Sequence, residues 1–346
     1  MSERIDLLIL GAGPTGISVG AEARRAGLSP LLVDRGSLVA SLVDYPDEML
    51  FFTTRDRLEI AGIPFAIPEE KPNRRQAIAY YQAVAAHFAL PLGLHEEVVD
   101  LEAEADGFRV RSRGRDGERE RRAGAVVVAT GYFAWPERLG VPGENQPWVR
   151  ARYREPWGHF GERVVVVGGG NSAAETALDL WHHGAQVTLV CRGAALKPTV
   201  KYWVKPDLEN RIAEGSIAAR FESRVSGFGA RSVRLEAATG SDEIAADAAY
   251  VLIGYRPDTS LLAAAGVRFD AVTLVPEFDA ATCETNVPGL YVAGTVQAGA
   301  ETHRIFIENS RDHGGRIVAH RLEVAGAERV IGAGRGESRG SKRHAT

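Results

Sequence analysis

Two glycine-punctuated stretches hold the residues whose types and spacing could do chemistry in this 346-residue chain. The first is Gly11-Ala12-Gly13-Pro14-Thr15-Gly16, preceded by the apolar run Ile5–Leu10 and followed by an alanine-rich stretch that stops at Gly27. The second is Gly168-Gly169-Gly170-Asn171-Ser172-Ala173, between the apolar run Arg163–Val167 and a helical stretch, Ala174–His183, that stops at Gly184. A glycine turn between a buried strand and a helix lets the backbone approach a pyrophosphate, which then rests on the positive end of the helix. A second apolar run follows each helix, Leu31–Val33 in one case and Gln186–Val190 in the other, completing a βαβ unit. A lone GxGxxG says little, because glycines punctuate many turns. Two of them in full strand-turn-helix-strand context, more than a hundred residues apart, predict two separate nucleotide sites.

The residues at the ends of the second strands differ. Asp34 lies 18 residues beyond Gly16, where a carboxylate can accept hydrogen bonds from a ribose diol, and Arg35 follows it. The same count from Ala173 reaches Cys191, so no acid faces the ribose there, and the next residue is Arg192. A carboxylate would repel a 2′-phosphate, whereas a guanidinium can grip one through two hydrogen bonds. Lysine is rare in this chain, yet Lys197 and Lys201 fall close to the same point. The second site is therefore predicted to take NADPH in preference to NADH.

Composition narrows the setting. A formal net charge of -4 provides no basic field for nucleic acid. Hydrophobic residues at 45% and charged residues at 25% are ordinary for a globular protein. No apolar run approaches the roughly eighteen residues that a membrane helix needs, and the first residues lack a secretory leader, so a cytoplasmic location is expected. Cys191 and Cys283 form neither a CxxC motif nor a metal-ligand set. No Ser/His/Asp constellation or metal-ligand spacing stands out, and no protein side chain is assigned a catalytic role.

The elements that must position these turns can be followed along the chain. Phe108–Val110 and the charged stretch Arg111–Arg122 predict a solvated hairpin, after which Ala125–Val128 runs into Ala129-Thr130-Gly131. A proline-punctuated segment from Trp135 to Gly143 reads as a crossover, and Tyr250–Gly254 leads into a second one at Arg256-Pro257. Gly289–Gly294 predicts another buried strand, followed by a helix from about Ile305 to Ala325. Tyr45, Phe51 and Phe52 are expected in the core. The expected fold class is α/β, with two Rossmann-like three-layer dinucleotide-binding domains. Residues 1–140 and 256–326 would form one domain, 141–255 an inserted one, and 327–346 a disordered tail rich in Gly, Arg and Ser.

Together, the first fingerprint, the ATG, the inserted second fingerprint and the late TNVPGLYVAGT (Thr285–Thr295) resemble the low-molecular-weight thioredoxin reductase group. The more specific resemblance is to the bacillithiol disulfide reductase family, thioredoxin-reductase-like flavoproteins without a CxxC. DYPDEMLFFTTRDRLEIAGIPF, KPNRRQAIAYY, ATGYFAWPERLGVPGE, VKYWVKPDLENRI and IFIENSRDHG carry it, over about Ile5 to Ala319. The resemblance implies an FAD domain built from both ends of the chain, an inserted NADPH domain, and a homo-oligomer. It places FAD at Gly11, Gly13, Pro14, Thr15, Gly16, Asp34, Arg35, Thr130, Gly131, Gly294 and Thr295. It places NADPH at Gly168, Gly170, Asn171, Ser172, Arg192 and Lys197.

Two departures bear on the reaction. The group usually carries aspartate where Thr295 stands. The family commonly has a cysteine just before the last glycine of the first fingerprint, where this chain has Thr15, and a hydroxyl cannot supply the thiolate that attacks a disulfide. Val149–Phe160, where a thioredoxin reductase would open its inserted domain with a CxxC, contains no cysteine. The expected acceptor is a small-molecule disulfide by resemblance or, as the alternative, a ferredoxin or flavodoxin, which needs no thiol. A flavin monooxygenase reading, prompted by ATGY, is disfavoured. With Tyr153 at the end of its FxGxxxHxxxY motif, Val149 stands at the histidine and Asn145 at the glycine. A flavin-binding sensor is the non-enzymatic alternative.

Overall fold

The computed structural model describes residues 5–337. Its described residues divide into two compact units, one of 5–43, 50–132 and 257–337, the other of 44–49 and 133–256. The first junction falls after Tyr132 rather than at 140, and the short segment 44–49 belongs to the second unit. Ion pairs distant in sequence hold that segment there: Asp44 with Arg152 Nη1 at 3.2 Å and Asp47 with Arg154 Nε at 3.1 Å. The Tyr45 ring adds an edge contact to Phe133, with centroids 4.8 Å apart.

The first unit opens with β1 (Ile5–Leu10), α1 (Pro14–Arg25), β2 (Pro30–Asp34), α2 (Ala40–Val43), α3 (Arg74–His87), β3 (Leu92–Leu94), β4 (Glu97–Glu104), β5 (Gly107–Gly114) and β6 (Gly117–Val128). β1 is a central strand, parallel to β2 on one side and β6 on the other, so Leu7, Leu8 and Ile9 are fully buried on both faces. β6 has two characters. Its charged first half, Glu118–Arg122, pairs with β5 in the solvated hairpin, and its apolar second half, Ala123–Val128, enters the central sheet beside β1. α3 starts at a reciprocal capping box between Asn73 and Gln76.

The second unit contains β7 (Val149–Arg150), β8 (Arg163–Val167), α4 (Asn171–His182), β9 (Gln186–Val190), α5 (Lys205–Ala213), β10 (Ala218–Arg220), β11 (Ser223–Phe228), β12 (Ser232–Ala237), β13 (Gly240–Ala245) and β14 (Ala248–Val251). Five strands form a parallel sheet in the order β10-β9-β8-β14-β7, while β11, β12 and β13 make a separate antiparallel sheet. α4 begins at Asn171, earlier than the expected Ala174. The chain then returns to the first unit through α6 (Ser260–Ala264), β15 (Leu290–Val292), α7 (Ile307–Ser310) and α8 (His313–Glu337). β15 pairs in parallel with β6, completing a seven-stranded sheet of order β3-β2-β1-β6-β5-β4 with β15 against β6.

Both units are α/β and Rossmann-like. The helix expected over 305–325 is two helices. α8 continues through Glu337, so the tail expected from 327 is helical that far, and 338–346 lie outside the described residues. Phe51 is buried as expected, but Phe52 is 54% exposed. Among the described residues, no helix is long and apolar enough to cross a membrane.

Candidate functional site

In the first unit, the turn after β1 forms because Gly11 adopts φ +113, a conformation that L side chains rarely take. A Cβ there would collide with the Ala129 carbonyl, which brings the turn against the end of β6. Gly13 caps α1 in an extended conformation, and Pro14 occupies the first helical turn. No side chain caps this N-terminus, and a Cβ built on Gly13 would meet nothing within 4 Å. The helix therefore presents its positive end to open space, where an anion can sit. Gly16 is buried, packed on the Gly11 carbonyl.

Asp34 stands at the end of β2 with each carboxylate oxygen holding a backbone amide. Oδ2 accepts from Ala12 N at 2.8 Å and Oδ1 from Gly36 N at 2.7 Å. The side chain is thereby fixed beside the turn, with lone pairs left for a diol. Arg35 is exposed. Thr130 is exposed at the end of β6, and a Cβ on the neighbouring Gly131 would lie 3.5 Å from Thr295 Oγ1, so the ATG turn and the residue after Gly294 converge. Gly294 also abuts the first turn, since a Cβ there would lie 2.8 Å from Thr15 Oγ1. The structure thus gathers Gly11, Gly13, Thr15, Gly131, Gly294 and Thr295 around the strand ends of one sheet.

Two residues in this cluster have no assignment from sequence. Ser310 shares a hydrogen bond with Thr15, Oγ to Oγ1 at 3.2 Å, and His313 Nδ1 accepts from Gly294 N at 3.1 Å. Both lie in IFIENSRDHG, but nothing in its spacing shows that a segment almost three hundred positions away closes on Thr15. Burial pushes the His313 imidazole down to about 4.

The second unit repeats the turn. Gly168 has φ +143, and a Cβ on it would strike the Leu252 carbonyl at the end of β14. Gly170 caps α4 in an extended conformation with no side-chain cap. Asn171 ties this end of the helix to the loop after β9, accepting from Lys201 N at 2.8 Å and donating to Thr199 O at 3.1 Å. Lys197 N donates to Gly169 O at 2.9 Å, holding the same loop over the turn. Ser172, Arg192 and Lys197 are exposed, and among the described residues neither Arg192 nor Lys197 has an ion-pair partner. Lys201 differs, its ammonium being paired with Glu175 Oε1 at 2.5 Å. Cys191 is buried beneath the turn, and burial pushes its thiol up to about 11. Cys283 is also buried, with its thiol pushed up.

Two sheets, each carrying an uncapped helix end behind a glycine turn, define a protein with two dinucleotide sites. The family model for pyridine nucleotide-disulphide oxidoreductases matches residues 8–294, and the chain belongs to that family. Within it the chain is bacillithiol disulfide reductase-like. It is 33% identical over 315 residues to bacilliredoxin reductase Bdr of Bacillus subtilis (strain 168), covering 90% of this chain and 96% of that protein. The solved bacillithiol disulfide reductase of Bacillus cereus superposes with a TM-score of 0.91 at 32% identity, covering 93% of this chain and 99% of the other. A ferredoxin–NADP reductase of Ignicoccus hospitalis is 26% identical over 303 residues, 84% of this chain and 90% of the relative. The protein is an oxidoreductase, with FAD and NADPH as its cofactors.

Proposed function

We propose that this enzyme passes a hydride from NADPH to FAD and then reduces an acceptor outside the chain without using a thiol of its own. The observation that carries this reading is the contrast between the two turns, Asp34 fixed beside one and beside the other an exposed Arg192 with no ion-pair partner among the described residues. When bound, FAD supplies the link between two-electron donor and acceptor. Gly11, Gly13, Pro14 and Gly16 with the α1 N-terminus would take its pyrophosphate, and Asp34 its ribose diol. Thr15, Arg35, Thr130, Gly131, Gly294 and Thr295 would line the remainder. In the other unit, Gly168, Gly170, Asn171 and Ser172 would cradle the NADPH pyrophosphate, while Arg192 and Lys197 grip the 2′-phosphate.

The acceptor on this reading is a low-molecular-weight disulfide, as the names of the Bacillus relatives suggest. A ferredoxin-type acceptor is the second reading. It is favoured by Thr15, which offers no thiolate, and by the burial of both cysteines. By likeness to the family, the enzyme would act in the cytoplasm as a homo-oligomer. Purified protein should be yellow, with one FAD per chain, and should oxidise NADPH anaerobically when given bacillithiol disulfide. Turnover with ferredoxin alone would select the second reading. Colourless protein that takes up no flavin on reconstitution would sink both.

A further inference from the structure

His313 is buried, only 4% exposed, and one of its ring nitrogens is already committed. Gly294 N can only donate, so Nδ1, 3.1 Å away, must be the bare nitrogen, and in the neutral ring the proton sits on Nε2. Neutrality follows from burial, which holds the imidazole near 4 against the opposing influence of Asp312. Nε2 is therefore a hydrogen-bond donor, and it has no partner among the described residues. The described side-chain atoms that are sealed without a partner are Arg152 Nε and Arg211 Nε, so His313 Nε2, in a ring that is otherwise buried, keeps some access to solvent.

The Nδ1 partner ties the ring to the first turn. Gly294 abuts Thr15 of the first turn, Thr15 bonds Ser310, and Ser18 Oγ in the following helix donates to Arg311 O at 3.0 Å. The 310–313 segment is thus fastened to the glycine turn from two sides. A donor left over in an otherwise enclosed ring costs stability unless a ligand or water takes it.

We propose that His313 donates its Nε2–H to an oxygen of the bound flavin nucleotide and is a positioning residue for FAD. This rests on FAD occupying the turn after β1. The competing role is purely structural, a clamp on Gly294 through Nδ1 alone.

Two substitutions separate these roles. In His313→Gln the side-chain amide nitrogen replaces Nε2 as donor, but nothing replaces Nδ1. In His313→Asn the amide oxygen replaces Nδ1 as acceptor, but no donor reaches the place of Nε2. Flavin would be stripped from the wild type and both variants, FAD affinity read from quenching of flavin fluorescence on rebinding, and the melting temperature of each apoprotein recorded. His313→Gln should bind FAD within about threefold of wild type, and His313→Asn about tenfold more weakly, the scale of one lost hydrogen bond. The His313→Asn apoprotein should melt as the wild type does. Asparagine binding FAD as tightly as glutamine, or more tightly, would overturn the proposal in favour of the clamp. Stripped wild type that takes up no FAD would remove the first-turn site itself, a separate failure.

Discussion

The thiol of Cys191 donates to the carbonyl oxygen of Gly168 across 3.0 Å, fastening the end of β9 to the glycine turn after β8. At the position where a ribose-binding acid would stand, this chain therefore has a buried structural thiol. Cys283 is equally enclosed. Neither group has the exposed, electropositive surroundings that generate a reactive thiolate. A Cys191→Ser, Cys283→Ser double variant should keep NADPH-driven activity within a few-fold (about threefold) of wild type, since serine can still donate to Gly168. A loss of about a hundredfold with flavin still bound would reveal a thiol relay and sink the thiol-free reading.

Arg192 stands exposed just past Cys191, and no ion pair holds it among the described residues. If it takes the 2′-phosphate, Arg192→Ala should weaken NADPH binding by about 1.5–3 kcal/mol, the range of charge-assisted hydrogen bonds. NADH binding should hardly change. Titrating both nucleotides against wild type and variant decides it, and equal losses for the two would assign Arg192 to structure instead.

Gly168 combines φ +143 with a position where an added Cβ would lie 2.3 Å from the Leu252 carbonyl oxygen. Gly168→Ala should lower stability by about 2–4 kcal/mol, through backbone strain and displacement of the turn from β14. Denaturant unfolding followed by tryptophan fluorescence measures this, and NADPH binding should fall with it. An unchanged midpoint would show that the turn can relax at little cost.

His313 should also imprint a pH dependence on stability. The unfolded chain takes up a proton on this residue near the ordinary value of about 6.5, whereas the folded chain refuses it until about 4. The unfolded state therefore binds more protons between those values. The contribution is fully present above pH 6.5 and is lost as pH falls toward 4, by up to about 3 kcal/mol. Comparing urea midpoints at pH 7 and pH 5, the wild type should lose more stability than His313→Asn. Identical losses would mean that the imidazole protonates without cost in the folded protein.

Much of this was legible in the sequence because the relevant physics is local. β1, β8 and β9 occupy the ranges their apolar runs predict, since a parallel strand buried on both faces must be continuously apolar. The two turns are equally local, with Gly11 and Gly168 setting the conformation within a few residues. The contrast between Asp34 and Cys191-Arg192 needed only a count along the chain.

What escaped depends on segments that meet only after folding. Asp44 and Asp47 place 44–49 in the second unit because Arg152 and Arg154, about a hundred positions later, happen to face them. The pairing of Thr15 with Ser310 and of Gly294 with His313 has the same character, because a hydroxyl or an imidazole announces no partner at a distance. Sequence alone determined two glycine turns and the different residues, Asp34 and Cys191-Arg192, that follow the second strand of each unit. The tertiary structure decided which remote side chains surround them, since hydrogen bonds and ion pairs act over a few ångströms of space and carry no periodicity along the chain.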